Sequence, residues 1–258
     1  MSIISASSCI CFCFEYENDT TSNYDISEVE VFYAKTKELS SGYTDFRNYV
    51  THDEKMRANK FHFDEDRETY LSCHALLRLI LSRKLNKKPS EISFINEINN
   101  KPGLMGGNMY FNITHTREAF AFAISKYFYV GIDLEKVNRN VDFTSIIETY
   151  FSNHEREYIL ESKTEARNRF FLLWTRKEAL LKALGIGIIS DLPLIEVSGE
   201  RNIINKKLFD RLVSYPASSE HFIYSKRVSE YYLSIAIPQK AEIVLNHINT
   251  ENLSFYLV

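Results

Sequence analysis

The chain of 258 residues carries 31 Lys and Arg against 34 Asp and Glu, a formal charge of −3, and is 45% hydrophobic and 25% charged. These proportions belong to a globular protein with a sizeable core, and they exclude disorder, collagen and low-complexity repeats. The slight acidity argues against a protein whose main work is gripping nucleic acid phosphates, and four cysteines are too few for a disulfide scaffold.

The first fourteen residues are apolar, with Cys9, Cys11 and Cys13 at alternate positions. On an extended segment the three thiols share a face, which reads either as a C-x-C-x-C metal or redox site or, preferably, as a buried strand carrying small apolar residues. The first basic residue is Lys35, so the positive n-region of a signal peptide is missing. The apolar run is also shorter than the roughly 20 residues a membrane-spanning helix needs. A cytoplasmic protein is expected, with neither a membrane nor a nucleic acid as partner.

Residues 51–85 read as one long helix or a broken pair. Leu71, Ala75, Leu76 and Leu79 recur at helical spacing, and Arg67, His74 and Arg78 are available for a second face. Pro89 ends it. A short strand is expected at 91–95, a turn at Asn99-Asn100-Lys101-Pro102-Gly103, and a second strand at 109–113 leading into Thr114-His115-Thr116. Residues 119–124 and 127–134 are dense in aromatic and branched side chains and predict a hairpin. Ser152 caps a helix with Glu155 at the capping-box position. Another helix is expected over 167–184, ended by Gly185 and Gly187, and residues 194–236 alternate like antiparallel strands. The class is α+β.

Three clusters carry chemistry. On a strand, Asp133 and Glu135 in Gly131-Ile132-Asp133-Leu134-Glu135 present two carboxylates on one face. They are either two solvated acids or a hard-oxygen site for Mg²⁺. Trp174, Glu178 and Lys182 follow at i, i+4, i+8 on a helix. Glu178 and Lys182 form either a surface ion pair or a metal carboxylate (or general base) beside a phosphate partner. Thr114 and His115, after Lys101-Pro102, offer a hydroxyl and an imidazole for a phosphate, or a structural histidine. There is no Gly-x-Ser-x-Gly elbow, His-Glu-x-x-His, P-loop or Gly-x-Gly-x-x-Gly.

The order Lys101-Pro102, Phe111-Asn112-Ile113-Thr114-His115-Thr116, Gly131-Ile132-Asp133-Leu134-Glu135 and Trp174-x-x-Lys177-Glu178-Ala179-x-x-Lys182 resembles the Sfp-type 4′-phosphopantetheinyl transferases. Arg67-x-x-Tyr70-Leu71-x-x-His74-x-Leu76-Leu77-Arg78 and Phe151-Ser152-x-x-Glu155 are similar to that family as well. The resemblance covers residues 53–187. It implies a pseudo-dimer of two similar α+β halves, here 1–129 with the nucleotide contacts and 130–258 with the metal site, working as a monomer. It also implies transfer of the phosphopantetheine arm of coenzyme A to a serine of an apo acyl or peptidyl carrier domain. Adenosine 3′,5′-bisphosphate would be released, in a carrier-activating step of secondary metabolite biosynthesis. Residue by residue, Asp133, Glu135 and Glu178 match the Mg²⁺ carboxylates. Glu178 also matches the base, and Lys182 the phosphate lysine. Lys101 and Pro102 match nucleotide contacts, Thr114 and His115 the pair on the 3′-phosphate, and Arg67, His74 and Arg78 the basic coenzyme A helix. Asn100 stands where the family has glycine before Lys-Pro, and Thr69 where a basic residue is usual.

Carrier domains of such enzymes are acidic, so a docking patch drawing on Lys55, Arg57, Arg167 or Arg169 is a further expectation. Two alternatives remain open at this point. One is a non-catalytic carrier- or nucleotide-binding homologue. The other is a Mg²⁺-dependent nuclease, whose second acid and lysine would lie one residue apart on a strand.

Overall fold

The computed structural model describes residues 12–13, 27–39, 46–138, 140–213 and 218–257, with Phe12, Cys13 and Ile98 described through their backbone alone. Cys9 and Cys11 lie outside the described residues. The first half runs β1 (Phe12–Cys13), β2 (Glu28–Lys35), α1 (His52–Ala58), α2 (Asp64–Lys84), β3 (Phe94–Asn96), β4 (Pro102–Leu104), β5 (Tyr110–His115) and β6 (Ala119–Ser125). The second runs β7 (Gly131–Lys136), α3 (Thr144–Tyr150), α4 (Asn153–Leu160), α5 (Ala166–Ala183), β8 (Arg201–Ile203), α6 (Lys206–Leu212), β9 (Glu220–Val228) and β10 (Tyr231–Ile237). β11 (Glu242–His247) and α7 (Ser254–Leu257) follow. Two sheets result, ordered β1-β11-β2-β6-β5 and β7-β10-β9-β8, beside the small pair β3-β4.

The halves repeat one plan. In each, a strand is followed by helices and then by a hairpin whose second strand returns antiparallel to the first: β2 to β6, and β7 to β10. The repeat reaches individual side chains. Thr51 caps α1 in a capping box with Glu54, and the Glu54 carboxylate takes both its oxygens to Arg78 of α2, at 2.9 and 3.0 Å. Arg78 also donates to the carbonyls of Pro89 and Ile92, around the short helix after α2. In the second half Ser152 caps α4 in a capping box with Glu155, and Glu155 pairs with Lys177 of α5 at 2.9 Å. Lys177 donates to the carbonyls of Leu192 and Ile195, around the short helix after α5. A buried ion pair is stabilised when its remaining donors and acceptors find partners, and both halves supply backbone carbonyls from the short helix that follows, although Arg78 Nε is left without an acceptor.

The sheets face each other across a shared core. Ala119, Ala121 and Ala123 of β6 present small side chains there, and Tyr231, Leu233 and Ile235 of β10 present large ones, so the layers interlock at interior density. Each sheet's other face carries its helices. Under α2 lie Phe32, Phe120 and Phe122, whereas under α5 lie Ser234 and Ala236, with Thr175 of α5 hydrogen-bonded to Ser234 at 2.8 Å. Small side chains let α5 approach its sheet closely. At Gly131 an added Cβ would stand 2.0 Å from Ala179 O and 2.3 Å from Ala183 N.

One open expectation is resolved and three change. The 51–85 segment takes the second of its two readings, the broken pair, and Phe61 between the helices packs on Tyr70 with ring centroids 5.4 Å apart. The hairpin expected over 119–134 does not form: β6 already has β2 and β5 on its two edges, so the chain crosses to begin the second sheet as β7. Within 194–236, Asn205 accepts from the amides of Lys207 and Leu208 and starts α6 where strand was expected. Finally, β11 returns to the first sheet and pairs in parallel with β2, so residues 242–257 sit with the first half.

Candidate active site

The site forms where β5 of one half meets β7 and α5 of the other. Asn112 and Thr114 lie on one face of β5, and their side-chain oxygens accept from Ile132 N at 3.0 Å and Leu134 N at 3.3 Å. Two side chains thus replace a strand ladder between the sheets and fix the register of β7. That register turns Asp133 toward α5. Lys182 donates to Asp133 Oδ1 at 2.6 Å and to Thr114 Oγ1 at 3.3 Å, and Thr114 donates to the same carboxylate oxygen at 3.2 Å.

Thr114, His115, Asp133, Glu135, Trp174, Glu178 and Lys182 line one open cleft of about 450 Å³. The Trp174–Glu178–Lys182 stripe therefore faces the cleft, and its two charged members do not act as a solvated surface pair. Glu178 and Lys182 stand four apart on a helix, unlike the strand arrangement of the nuclease alternative. Burial and repulsion from Asp133 raise the Glu135 carboxyl to about 7, against the pull of Lys182. Burial and Asp133 likewise push Glu178 upward. Two buried oxygens, Asp133 Oδ2 and Glu178 Oε1, have no hydrogen-bond donor.

That donor set fits a hard divalent cation: three carboxylates that disfavour one another's charge, with orphaned oxygens and no soft ligand. Among the described residues, however, no three such side chains converge into a ready coordination cage. The ammonium of Lys182 is the positive charge at Asp133.

Two further cavities adjoin. Lys101, Pro102, Asn112, Ile113 and Lys182 line one of about 260 Å³. Arg57, Tyr70, His74, Arg78, Pro102 and Ile113 are among the residues lining another of about 420 Å³, so Ile113 borders all three. His74 stacks on Tyr70 with ring centroids 4.1 Å apart and meets Glu54 Oε1 at 3.2 Å. The His115 imidazole stands at the rim, where lost hydration and the nearby His74 and Lys182 lower its pKa.

The remaining predicted contacts are placed differently. Arg78 is 2% exposed and engaged with Glu54 and two carbonyls, which gives it the structural role just described. Arg67 pairs with Asp64 at the exposed start of α2. Arg167 donates to Asn138 O and Val141 O, and Arg169 to Tyr158 O and Glu161, so both hold the second half together. Two residues escaped the sequence reading of the site. Arg57, considered only for docking, lines the His74 cavity. Asn112, inside a quoted motif, carries the join between sheets.

Comparison with known proteins agrees with this geometry. Residues 129–236 match the family model described as the 4′-phosphopantetheinyl transferase superfamily, and residues 37–127 match the model of the N-terminal part of a 4′-phosphopantetheinyl transferase. The chain is 31% identical over 167 residues to the 4′-phosphopantetheinyl transferase HetI of Nostoc sp., covering 62% of this chain and 70% of HetI. It is 39% identical over 116 residues to the transferase gsp of Aneurinibacillus migulanus, covering 44% and 46% of the two chains. To the human L-aminoadipate-semialdehyde dehydrogenase-phosphopantetheinyl transferase it is 28% identical over 157 residues, covering 56% and 51%. Against the latter two, the chain spans about half of the relative's length. The chain belongs to the 4′-phosphopantetheinyl transferase family, and its two similar α+β halves are the pseudo-dimer expected of it.

Proposed function

We propose that this protein moves the 4′-phosphopantetheine arm of coenzyme A onto a serine hydroxyl of an apo acyl or peptidyl carrier domain, with Mg²⁺ as cofactor and adenosine 3′,5′-bisphosphate as the other product. The observation that carries this reading is the convergence of Asp133, Glu178, Lys182 and Thr114 in one cleft between the halves. Transfer of this kind asks mainly for positioning and charge neutralisation. Asp133, Glu135 and Glu178 would hold the cation, which when bound supplies counter-charge to the pyrophosphate. Lys182 meets a phosphoryl oxygen, and Thr114 and His115 meet the 3′-phosphate, with Arg57 adding positive charge and His74 lining the same adjoining cavity.

The carrier serine oxygen attacks the phosphorus that bears the pantetheine arm. The new bond is Ser Oγ–P, and the bridging P–O bond breaks toward the nucleotide. Glu178, a carboxylate lining the same cleft, takes the serine proton. Among the described residues no helix is long and apolar enough to cross a membrane; a monomeric, cytoplasmic enzyme is part of the proposal.

The test is intact-mass spectrometry of an apo carrier incubated with this protein, coenzyme A and Mg²⁺, with and without EDTA. A gain of one phosphopantetheine that EDTA abolishes supports the reading. No gain on several carrier types, together with no coenzyme A binding, overturns it.

A further inference from the structure

Lys101 matches a nucleotide contact of the family, yet its ammonium is directed elsewhere. It lies 2.7 Å from Lys182 O, 3.2 Å from Val130 O and 3.3 Å from Ala183 O. An ammonium has three donors, and here three carbonyls meet them. Two of these carbonyls end α5, and the third immediately precedes β7. Beside it, Asn99 donates to Gly185 O at 2.7 Å, one turn further along the same chain. Asn99 and Asn100 hold left-handed φ of 57° and 59°. The turn they form is closed by Glu97 N to Lys101 O at 2.8 Å and Asn100 N to Glu97 O at 3.1 Å. The Asn99 and Lys101 side chains on this turn reach across the boundary between halves.

The end of α5 carries a Schellman cap of its own. Gly185, with φ 62°, turns the chain so that Ile186 N returns to Leu181 O at 3.0 Å and Gly185 N to Lys182 O at 3.2 Å. The carbonyls of the last turn still carry the negative end of the helix dipole. A cation seated on them neutralises that end and fixes its position. Lys182 is in this turn: its backbone oxygen is held by Lys101 while its own ammonium reaches Asp133.

We propose that Lys101 is a positioning residue: with Asn99 it clamps the last turn of α5 from the opposite half, and so holds Lys182 at Asp133 instead of contacting the nucleotide itself. The inference rests on the transfer reaction proposed above. Burial lowers the Lys101 pKa to about 8 against the pull of Glu97, as expected for an ammonium partly withdrawn from water.

The experiment compares wild type with Lys101→Met, which keeps the stem and removes the charge, and with Asn99→Ala, which loosens the same clamp without touching a charge. Carrier loading gives kcat and KM for coenzyme A, and calorimetry gives Kd for adenosine 3′,5′-bisphosphate. Hydrogen exchange of amides 184–186 reports on the turn without activity. Positioning predicts at least tenfold lower kcat in Lys101→Met, nucleotide Kd within twofold of wild type, and tenfold faster exchange in both variants. A tenfold weaker Kd with unchanged kcat and unchanged exchange overturns it in favour of a direct contact. If Lys101→Met does not fold, Asn99→Ala decides by the same readouts. If wild type loads no carrier, the reaction reading fails, and the exchange rates alone still decide whether the clamp exists.

Discussion

Gly131 is the point on which the cleft geometry turns, and Gly131→Ala perturbs it with a single methyl. The new Cβ would sit 2.0 Å from Ala179 O, 2.3 Å from Ala183 N and 2.9 Å from Ala183 Cα, where ordinary van der Waals contact begins at 3.4 Å. All three neighbours are backbone, so no side chain can swing aside. Either α5 or β7 must retreat by about 1 Å, a displacement that can lower a rate on the order of 100-fold when it falls on reacting groups. The Lys182–Asp133 contact at 2.6 Å would stretch beyond hydrogen-bond range. Overpacking of this kind costs about 1–3 kcal/mol of stability, and more where backbone is the obstacle. Thermal unfolding combined with carrier-loading kinetics measures both effects. Gly187→Ala serves as the stability comparison, since a Cβ there meets nothing within 4 Å. A Gly131→Ala protein with wild-type melting and wild-type rate would refute the close-approach argument.

Three other outcomes follow from the same structure. Asp133→Ala and Glu178→Ala each abolish carrier loading with the fold intact, and Glu178→Ala melts no lower than wild type because it removes a carboxylate repelled by Asp133; a loaded carrier in either mutant contradicts the site. Lys177→Met strands Glu155, whose pair is fully buried on both sides, and lowers unfolding free energy by about 3–5 kcal/mol, checked by denaturant titration. Glu54 gives the acid dependence. Burial alone would raise its carboxyl, but His74, the Thr51 amide and Arg78 outweigh it and lower the pKa from 4.5 to about 2. Its stabilisation is therefore complete above pH 4.5 and is lost as pH falls from 4.5 toward 2. Glu54→Gln should flatten the stability curve over that window, and an unchanged slope would count against the pairing.

The grouping of the candidate site residues was legible in the letters because spacing on one element is local. Asp133 with Glu135 on a strand, and Trp174 with Glu178 and Lys182 on a helix, each define a face without knowledge of the fold. The internal repeat was not legible, because it resides in partners rather than in matching residues: one half uses Thr51, Glu54 and Arg78, the other Ser152, Glu155 and Lys177. Counted from those buried cations, Leu79 stands where Glu178 does and Arg83 where Lys182 does. Nothing in that alignment marks the first half as a carboxylate site. The hairpin expected over 119–134 failed for a related reason. Apolar alternation says that β6 and β7 are strands, but the partners of each are set by which edges are already filled. The acceptors of Lys101, the last carbonyls of α5, were not legible because they exist only once the helix has ended where it does.

The parallel pairing of β11 with β2, Val31 against Leu245, has a consequence for how the protein is made. β2 emerges from the ribosome about 200 residues before its neighbour. At roughly 5–20 residues per second, one of its edges waits some 10–40 s for a partner. An edge left open that long is a template for pairing with another chain. β2 answers this with Glu28 and Glu30 near its start and Lys35 at its end. During synthesis those charges guard a sheet that can be completed only when most of the protein, the whole second half included, is already outside the ribosome.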